Sequence, residues 1–283
     1  MMNNAVLKLG PLAIKAPKGV ELPDGYKPFC INADKSDVSL TLKYEKSKPR
    51  RGKPKIAFAD AVWRYFDNNG GWRIEVTGGG KVWLSSAEYD KNRKQLNISI
   101  NDGYKESSPF SYPLFDLVCR LLLIEKRAFI LHSALLRPSP ASSALALLGP
   151  SGAGKSTLSE LAFAAGWNIL CDDKVIISND NGRLFAHSAP WTGSFKKFEP
   201  ASAPLAAFVA LKKSNLNKLE EIAGVELFSE IMRAFFPPFQ SKREIELLMD
   251  AIENALASTP AYRLHFARGK EALKELECIF KRR

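Results

Sequence analysis

Nine residues in the middle of the chain restrict its fold more than any other feature: Gly149-Pro150-Ser151-Gly152-Ala153-Gly154-Lys155-Ser156-Thr157. They satisfy G-x-x-x-x-G-K-[ST] and stand between an apolar run, Ala144–Leu148, and a segment patterned as an amphipathic helix, residues 155–165. A buried strand that empties through glycines into a helix is an α/β unit, with its site at the strand's C-terminal end. Each residue type has a task. Gly149, Gly152 and Gly154 reach backbone conformations that residues with a Cβ resist, so successive amides can turn inward. Those amides and the positive end of the helix attract polyphosphate. Lys155 is expected to reach the outer phosphates, Ser156 to offer its hydroxyl to Mg²⁺, and Thr157 to support the first helical turn. The expected ligands are ATP and Mg²⁺.

The reaction is read from the residues around this cradle. No L-S-G-G follows, which excludes a transporter ATPase. The first aspartates after the loop arrive early: Cys171-Asp172-Asp173-Lys174, with 17 positions from Lys155 to Asp172. That spacing accommodates the helix, a turn at Gly166 and the short strand Asn168–Cys171, which returns the chain toward the phosphates. Two adjacent carboxylates can divide the labour there. One holds or orients Mg²⁺, and the other takes the proton from an attacking hydroxyl.

The combination of His132-Ser133, the glycine loop, Gly166-Trp167-Asn168-Ile169-Leu170 and Asp172-Asp173-Lys174-Val175-Ile176-Ile177 resembles the catalytic domain of bacterial HPr kinase/phosphorylase. Ala189-Pro190-Trp191-Thr192-Gly193 and Ala203-Pro204-Leu205-Ala206-Ala207 look like loops and strands of divergent members of that family, and the likeness spans about residues 128–210. It implies a P-loop kinase domain of the HPr kinase and ATP-dependent phosphoenolpyruvate carboxykinase type, transferring the γ-phosphoryl group of ATP to serine in a peptide or protein. Carried over by position, Lys155 and Ser156 hold phosphate and Mg²⁺, Asp172 is the general base, and Asp173 is a metal or geometry residue. His132 then polarises Asp172 through a hydrogen bond. The family's long signature for phosphorolysis and hexamer contacts is not found after residue 210, which argues against reversal and against HPr itself as acceptor. Two alternatives remain: a kinase for a small metabolite such as an amino acid or sugar, and a nucleotide-gated scaffold without transfer activity.

The remainder of the chain sets the frame. Its 283 residues, 46% hydrophobic and 25% charged, suit one large or two smaller globular domains. The division expected is a β-rich N-terminal domain over residues 1–112 and the catalytic domain over 113–283. In the first, residues 38–44, 56–66, 72–76, 81–84 and 96–100 read as strands separated by turn signals at 67–71 and 78–80. Trp63, Trp72 and Trp83 there read as half-buried strand residues. In the second, helices are expected at 113–124, 155–165, 219–235, 241–257 and 270–280, with a buried strand over 128–136. Ser241 and Glu244 form a capping-box pattern.

No apolar run reaches the length of a membrane span, and Cys30, Cys119, Cys171 and Cys278 show no metal or disulfide clustering. A cytoplasmic location follows as an expectation, with no membrane partner; homo-oligomerisation remains open. The net charge of +11 owes much to the run 43–55, read as a solvated basic loop rather than a nucleic-acid interface, because no recognition motif accompanies it. Further cations for the phosphoryl group would come from Lys174, Lys196, Lys197, Arg233, Arg243, Arg263 or Arg268. His187 and His265 read as strand histidines. Trp191 is either a loop anchor or a stacking residue, and 235–239 is an apolar turn.

Overall fold

A computed structural model describes residues 5–17, 19–49, 56–68, 70–104, 108–191, 193, 199–235 and 241–281. Lys196, Lys197, Thr192, residues 50–55 of the basic run and residues 236–239 of the apolar turn lie outside the described residues. The chain is a mixed α/β protein whose contacts divide into two compact units, residues 1–125 with 238–246, and residues 126–237 with 247–283.

The first unit is β-rich, as its turn signals and alternation predict. It contains β1 (Ala5–Leu9), β2 (Leu12–Lys15), β3 (Cys30–Asn32), β4 (Val38–Glu45), β5 (Ile56–Ala59), β6 (Trp63–Asn68), β7 (Gly71–Gly78), β8 (Val82–Asp90) and β9 (Gln95–Asn101), followed by helix α1 (Leu114–Ile124). They form one sheet in the order β3-β1-β2-β4-β9-β8-β7-β6-β5. From β5 to β9 the sheet is an antiparallel meander, and β4 joins β9 in parallel. The 56–66 segment is two strands, because Asp60 Oδ1 accepts the Val62 and Trp63 amides and turns the chain. Trp63, Trp72 and Trp83 are buried.

The boundary between units falls later than the sequence placed it. Helix α1 is buried over its whole length, its Asp116 and Arg120 paired with each other at 2.9 Å, and it packs on β7 and β8, while Phe115 meets Tyr26 and Phe110 in an aromatic cluster. Part of the basic run is also structural. Lys48 lies 2.5 Å from buried Glu75, and Arg73 pairs with Glu75 at 2.6 Å while donating to the Pro49 carbonyl.

The second unit contains β10 (Ala128–His132), β11 (Ala134–Arg137), β12 (Ala144–Leu148), α2 (Lys155–Ala164), β13 (Asn168–Cys171), β14 (Lys174–Asp180), β15 (Arg183–His187), β16 (Ser202–Lys213), β17 (Lys218–Ile222), α3 (Gly224–Ala234), α4 (Lys242–Ser258), β18 (Ala261–Phe266) and α5 (Glu271–Lys281). The first residues of α4 belong to the first unit. The sheet runs β10-β14-β15-β16-β12-β11-β13, and β18 pairs with β16 in parallel and with β17. Leu145 and Leu147 of β12, Leu158 and Ala162 of α2, Trp167, and Leu273 and Leu276 of α5 share one core. Full burial of Leu158 alone is worth about 2 kcal/mol.

Two expectations change. The helix expected over 219–235 is strand β17 followed by the shorter α3, because Leu219, Glu220, Glu221 and Ile222 pair antiparallel with β18 and Gly224 takes φ 55° at the junction. The single strand expected over 128–136 is broken at Ser133 into β10 and β11. The capping box is formed as predicted: the Glu244 amide donates to Ser241 Oγ, and the Ser241 amide to Glu244 Oε2.

Candidate active site

The break at Ser133 explains how the site is assembled. Strands β10 and β11 run antiparallel to β14 and β13, with His132 opposite Lys174 and Leu135 opposite Cys171. Both chains of this long pair bend at the same level, and the bend on the second chain is Asp172-Asp173. Ser133, fully buried, fixes the bend from two sides. Its amide donates to the Asp173 carbonyl at 2.9 Å, and its hydroxyl donates to the Leu147 carbonyl on β12 at 2.9 Å. Since β11 lies between β12 and β13, the two acids emerge at the same edge of the sheet as the glycine loop, roughly 10 Å away at two strand spacings.

The loop itself has the conformation its glycines permit. Gly154 takes φ 109°, and a methyl group there would lie 2.8 Å from two ring carbons of Phe266 on β18. It immediately precedes α2, whose first turn carries Lys155, Ser156 and Thr157. Lys155 is buried, 7% exposed, and its ammonium donates to the Gly149 carbonyl at 2.6 Å and the Pro150 carbonyl at 3.3 Å. Burial pulls its pKa down, and the charge of Asp173 opposes that shift. The lysine of the loop and the second acid are therefore close enough to act on each other.

The two acids differ. Asp172 is 5% exposed, and its Oδ1 accepts the Gly193 amide at 2.8 Å. A methyl on Gly193 would stand 2.9 Å from Asp172 Oδ2, so only glycine lets the loop after Trp191 approach this carboxylate. Asp173 is more open. His132 Nδ1 lies 3.0 Å from Asp173 Oδ1 and 3.0 Å from the Asp173 carbonyl. The hydrogen bond from His132 is the main reason the Asp173 carboxyl is held below its ordinary pKa, helped by Lys174 and Lys155 and opposed by burial. The sequence assigned the His132 bond to Asp172. The bend at Ser133 instead turns the histidine toward the next residue.

The donor set suits Mg²⁺. Ser156 and an ionised Asp173 are hard oxygen donors, and no cluster of three or more metal-binding side chains exists among the described residues. Magnesium is held by one or two protein oxygens together with substrate phosphates rather than by an all-protein cage.

A cavity of about 620 Å³ opens on the other flank of the loop. Residues 150–153 form one wall, and Lys212, Lys213, Arg233, Arg263 and Glu230 contribute to the rest. Lys212 and Lys213 were missed in the sequence. The signal was present, since they close the apolar run of β16, which lies parallel to β12 and so ends on the same side of the sheet.

Other candidates are absorbed by the scaffold. Arg243 forms a two-pronged ion pair with Glu125 at 2.7 Å within the first unit. His187 bridges Ser178 and Ser202, and His265 pairs with Glu220, as expected of strand histidines. Lys174 lies 5.3 Å from the centre of the Trp191 ring, a cation–ring contact.

No helix among the described residues is long and apolar enough to cross a membrane. No protein-family model and no curated protein matches the sequence. Among solved structures, the chain is similar to the HPr(Ser) kinase/phosphatase from Coxiella burnetii at 13% identity and a TM-score of 0.30, over 54% of this chain and 94% of that one.

Proposed function

We propose that the second unit is an ATP- and Mg²⁺-dependent phosphotransferase, of the P-loop kinase type with a β-rich companion unit, that moves the γ-phosphoryl group to a hydroxyl. The acceptor that the motif set favours is a serine of a peptide or protein. The observation that carries the reading is the pair of hydrogen bonds made by Ser133, which ties the strand entering the glycine loop to the turn bearing Asp172 and Asp173.

In this reading the amides of residues 151–154 and the positive end of α2 receive the phosphates. Lys155 exchanges the carbonyls of Gly149 and Pro150 for phosphate oxygens, which keeps its buried charge compensated. Ser156 and Asp173 hold Mg²⁺, and His132 fixes the rotamer and charge of Asp173. Bound there, Mg²⁺ supplies neutralisation of the charge on the outer phosphates. Asp172, oriented by the Gly193 amide, takes the proton of the attacking hydroxyl. The acceptor oxygen forms its bond to the γ-phosphorus, the bond from that phosphorus to the bridging oxygen breaks, and ADP leaves. Positioning and electrostatics are sufficient for most of the acceleration, since phosphoryl transfer asks little covalent chemistry of the protein.

The test is transfer of label from γ-labelled ATP into a pool of serine-containing peptides, with free serine and sugars as parallel acceptors. Transfer to peptide by the wild-type protein and none by Asp172→Asn is the expected result. Transfer only to a free metabolite would replace the acceptor, and transfer to nothing while nucleotide binds would reduce the protein to a nucleotide-dependent scaffold.

A further inference from the structure

The cavity beside residues 150–153 places Arg233 and Arg263, candidate cations for the phosphoryl group, together with Lys212 and Lys213 on the flank of the loop away from the twin acids. Its position is set by the sheet. β12 has β11 and then β13 on one side, carrying Ser133 and the twin acids, and β16 and then β18 on the other, carrying Lys212, Lys213 and Arg263. Strands lie about 4.8 Å apart, so the acids and Arg263 stand on opposite flanks of the loop with a total of four strand spacings between β13 and β18. Lys155, Ser156, Asp172, Asp173 and His132 are not among the residues that line the cavity.

The lining chemistry is that of an oxyanion site. Four basic side chains face one carboxylate, and that carboxylate is occupied in holding two of the four. Glu230, its side chain 11% exposed, lies 3.1 Å from Arg233 and 3.4 Å from Arg263, and Glu226 adds a second brace on Arg263 at 3.3 Å. A nearly buried acid between two guanidinium groups fixes forks whose outer donors match phosphate oxygens. Lys212 and Lys213, at the free end of β16, add two mobile charges. Among the described residues the lining includes no aromatic ring on which a nucleobase could stack. Its excess of positive charge is suited to a ligand carrying negative charge.

We infer that this cavity is a second anion site, which binds a phosphate-bearing small molecule while the glycine loop holds the nucleotide. The inference rests on the nucleotide reading only for the simultaneous occupancy; the cavity's own ligand chemistry stands apart from it. Such a ligand is either the phosphorylated acceptor of the reaction or an effector, and the two share the chemistry that the cavity recognises.

Inorganic pyrophosphate is the probe, titrated calorimetrically into the full chain with saturating Mg·ADP. The expected result is binding in the presence of Mg·ADP, weakened about tenfold or more in the double variant Lys213→Gln/Arg233→Gln, whose side chains are open enough to be replaced without unfolding. Lys8→Gln, which removes an exposed charge from the first unit, should bind as the wild type does. Exclusion of pyrophosphate by Mg·ADP would overturn the proposal and make the cavity part of the nucleotide site. Unaltered pyrophosphate affinity in the double variant would overturn it as well. Should Mg·ADP produce no heat, the nucleotide reading fails, and the cavity is then judged on Lys155→Ala: pyrophosphate binding that survives this change but not the double variant supports it, and the converse sinks it. Under saturating ATP, a transfer assay with a phosphorylated acceptor pool separates acceptor from effector, by whether label enters the phosphorylated compound or only its rate of entry elsewhere changes.

Discussion

The amide of Gly193 holds Asp172 by its Oδ1 at 2.8 Å, and the space beside Oδ2 is too small for even one additional methyl group. A close approach of this kind fixes a carboxylate more firmly than a long side chain could, because the backbone has fewer ways to retreat. Gly193→Ala must push Asp172 or the loop aside. Displacing a reacting group by about 1 Å costs on the order of a hundredfold in rate. We expect kcat to fall by that order while Mg·ADP affinity, measured by calorimetry, stays within about twofold of the wild type, since the nucleotide cradle lies on other residues.

Asp172 and Lys155 should separate chemistry from binding. Asp172→Asn keeps the shape and the Gly193 hydrogen bond but removes the base, for a loss of about 10²- to 10⁴-fold in turnover with nucleotide still bound. Lys155→Ala should weaken both. Near-normal turnover in Asp172→Asn would remove this residue from the mechanism and direct attention to Asp173.

The His132–Asp173 pair predicts a different signature. A histidine acting only on a metal-holding carboxylate should change the metal requirement before it changes the chemistry. Loss of such a supporting partner costs about 10- to 100-fold in metal affinity. In His132→Ala the Mg²⁺ concentration for half-maximal rate should rise by that factor, and saturating Mg²⁺ should restore most of the turnover. A lowered plateau with an unchanged Mg²⁺ midpoint would place His132 on the reacting groups.

The same pair has a consequence for stability against pH. Asp173 is held below its ordinary pKa of 3.8, so the folded state binds fewer protons there than the unfolded chain does. Its contribution is present above pH 3.8 and is lost as the pH falls through the lowered folded value. The stability gap between wild type and Asp173→Asn, from urea unfolding, should be present above the ordinary carboxylate range and should close as the pH falls below it. A gap that persists at the lowest pH at which the protein folds would assign the effect to packing instead of charge.

How much of this was legible in the sequence depends on whether the cause was local. The glycine loop, α2, β13 and the Ser241–Glu244 capping box are set by residues within a few positions of one another, and each stands where the sequence put it. Asp172 and Asp173 stand at the same end of the sheet as the glycine loop, as their distance from Lys155 predicted, because that distance allowed only a short return path. The partner of His132 was not recoverable, because it depends on the bend at Ser133, and that bend is fixed by a hydroxyl reaching a different strand, at Leu147. The 219–235 segment failed for a related reason. Its apolar spacing fits a helix, but β18 offered Leu219–Glu221 a strand edge, and tertiary pairing overrode the local pattern. Lys212 and Lys213 look like an ordinary polar end to a strand until β12 is known to lie parallel beside it.

Gly154 provides the test that joins these levels. As the last glycine of the motif it was read as conformational freedom, and its φ of 109° agrees, a value at which an L-residue costs about 1–3 kcal/mol. The fold adds a second constraint, the Phe266 ring 2.8 Å from where a Cβ would sit. These two costs are separable. Gly154→Ala alone should destabilise the protein by more than the backbone term and weaken Mg·ADP binding, because the start of α2 must shift. Phe266→Leu alone should cost about 1 kcal/mol, as a core substitution that keeps much of its volume. If the ring is a true second constraint, the double variant will be more stable than the sum of the two losses predicts, by a coupling of about 0.5–3 kcal/mol, as expected of residues in contact. Nucleotide affinity should recover only in part, since the strain at φ remains. Strict additivity would mean that the loop avoids Phe266 without help, and that backbone conformation alone demands glycine there.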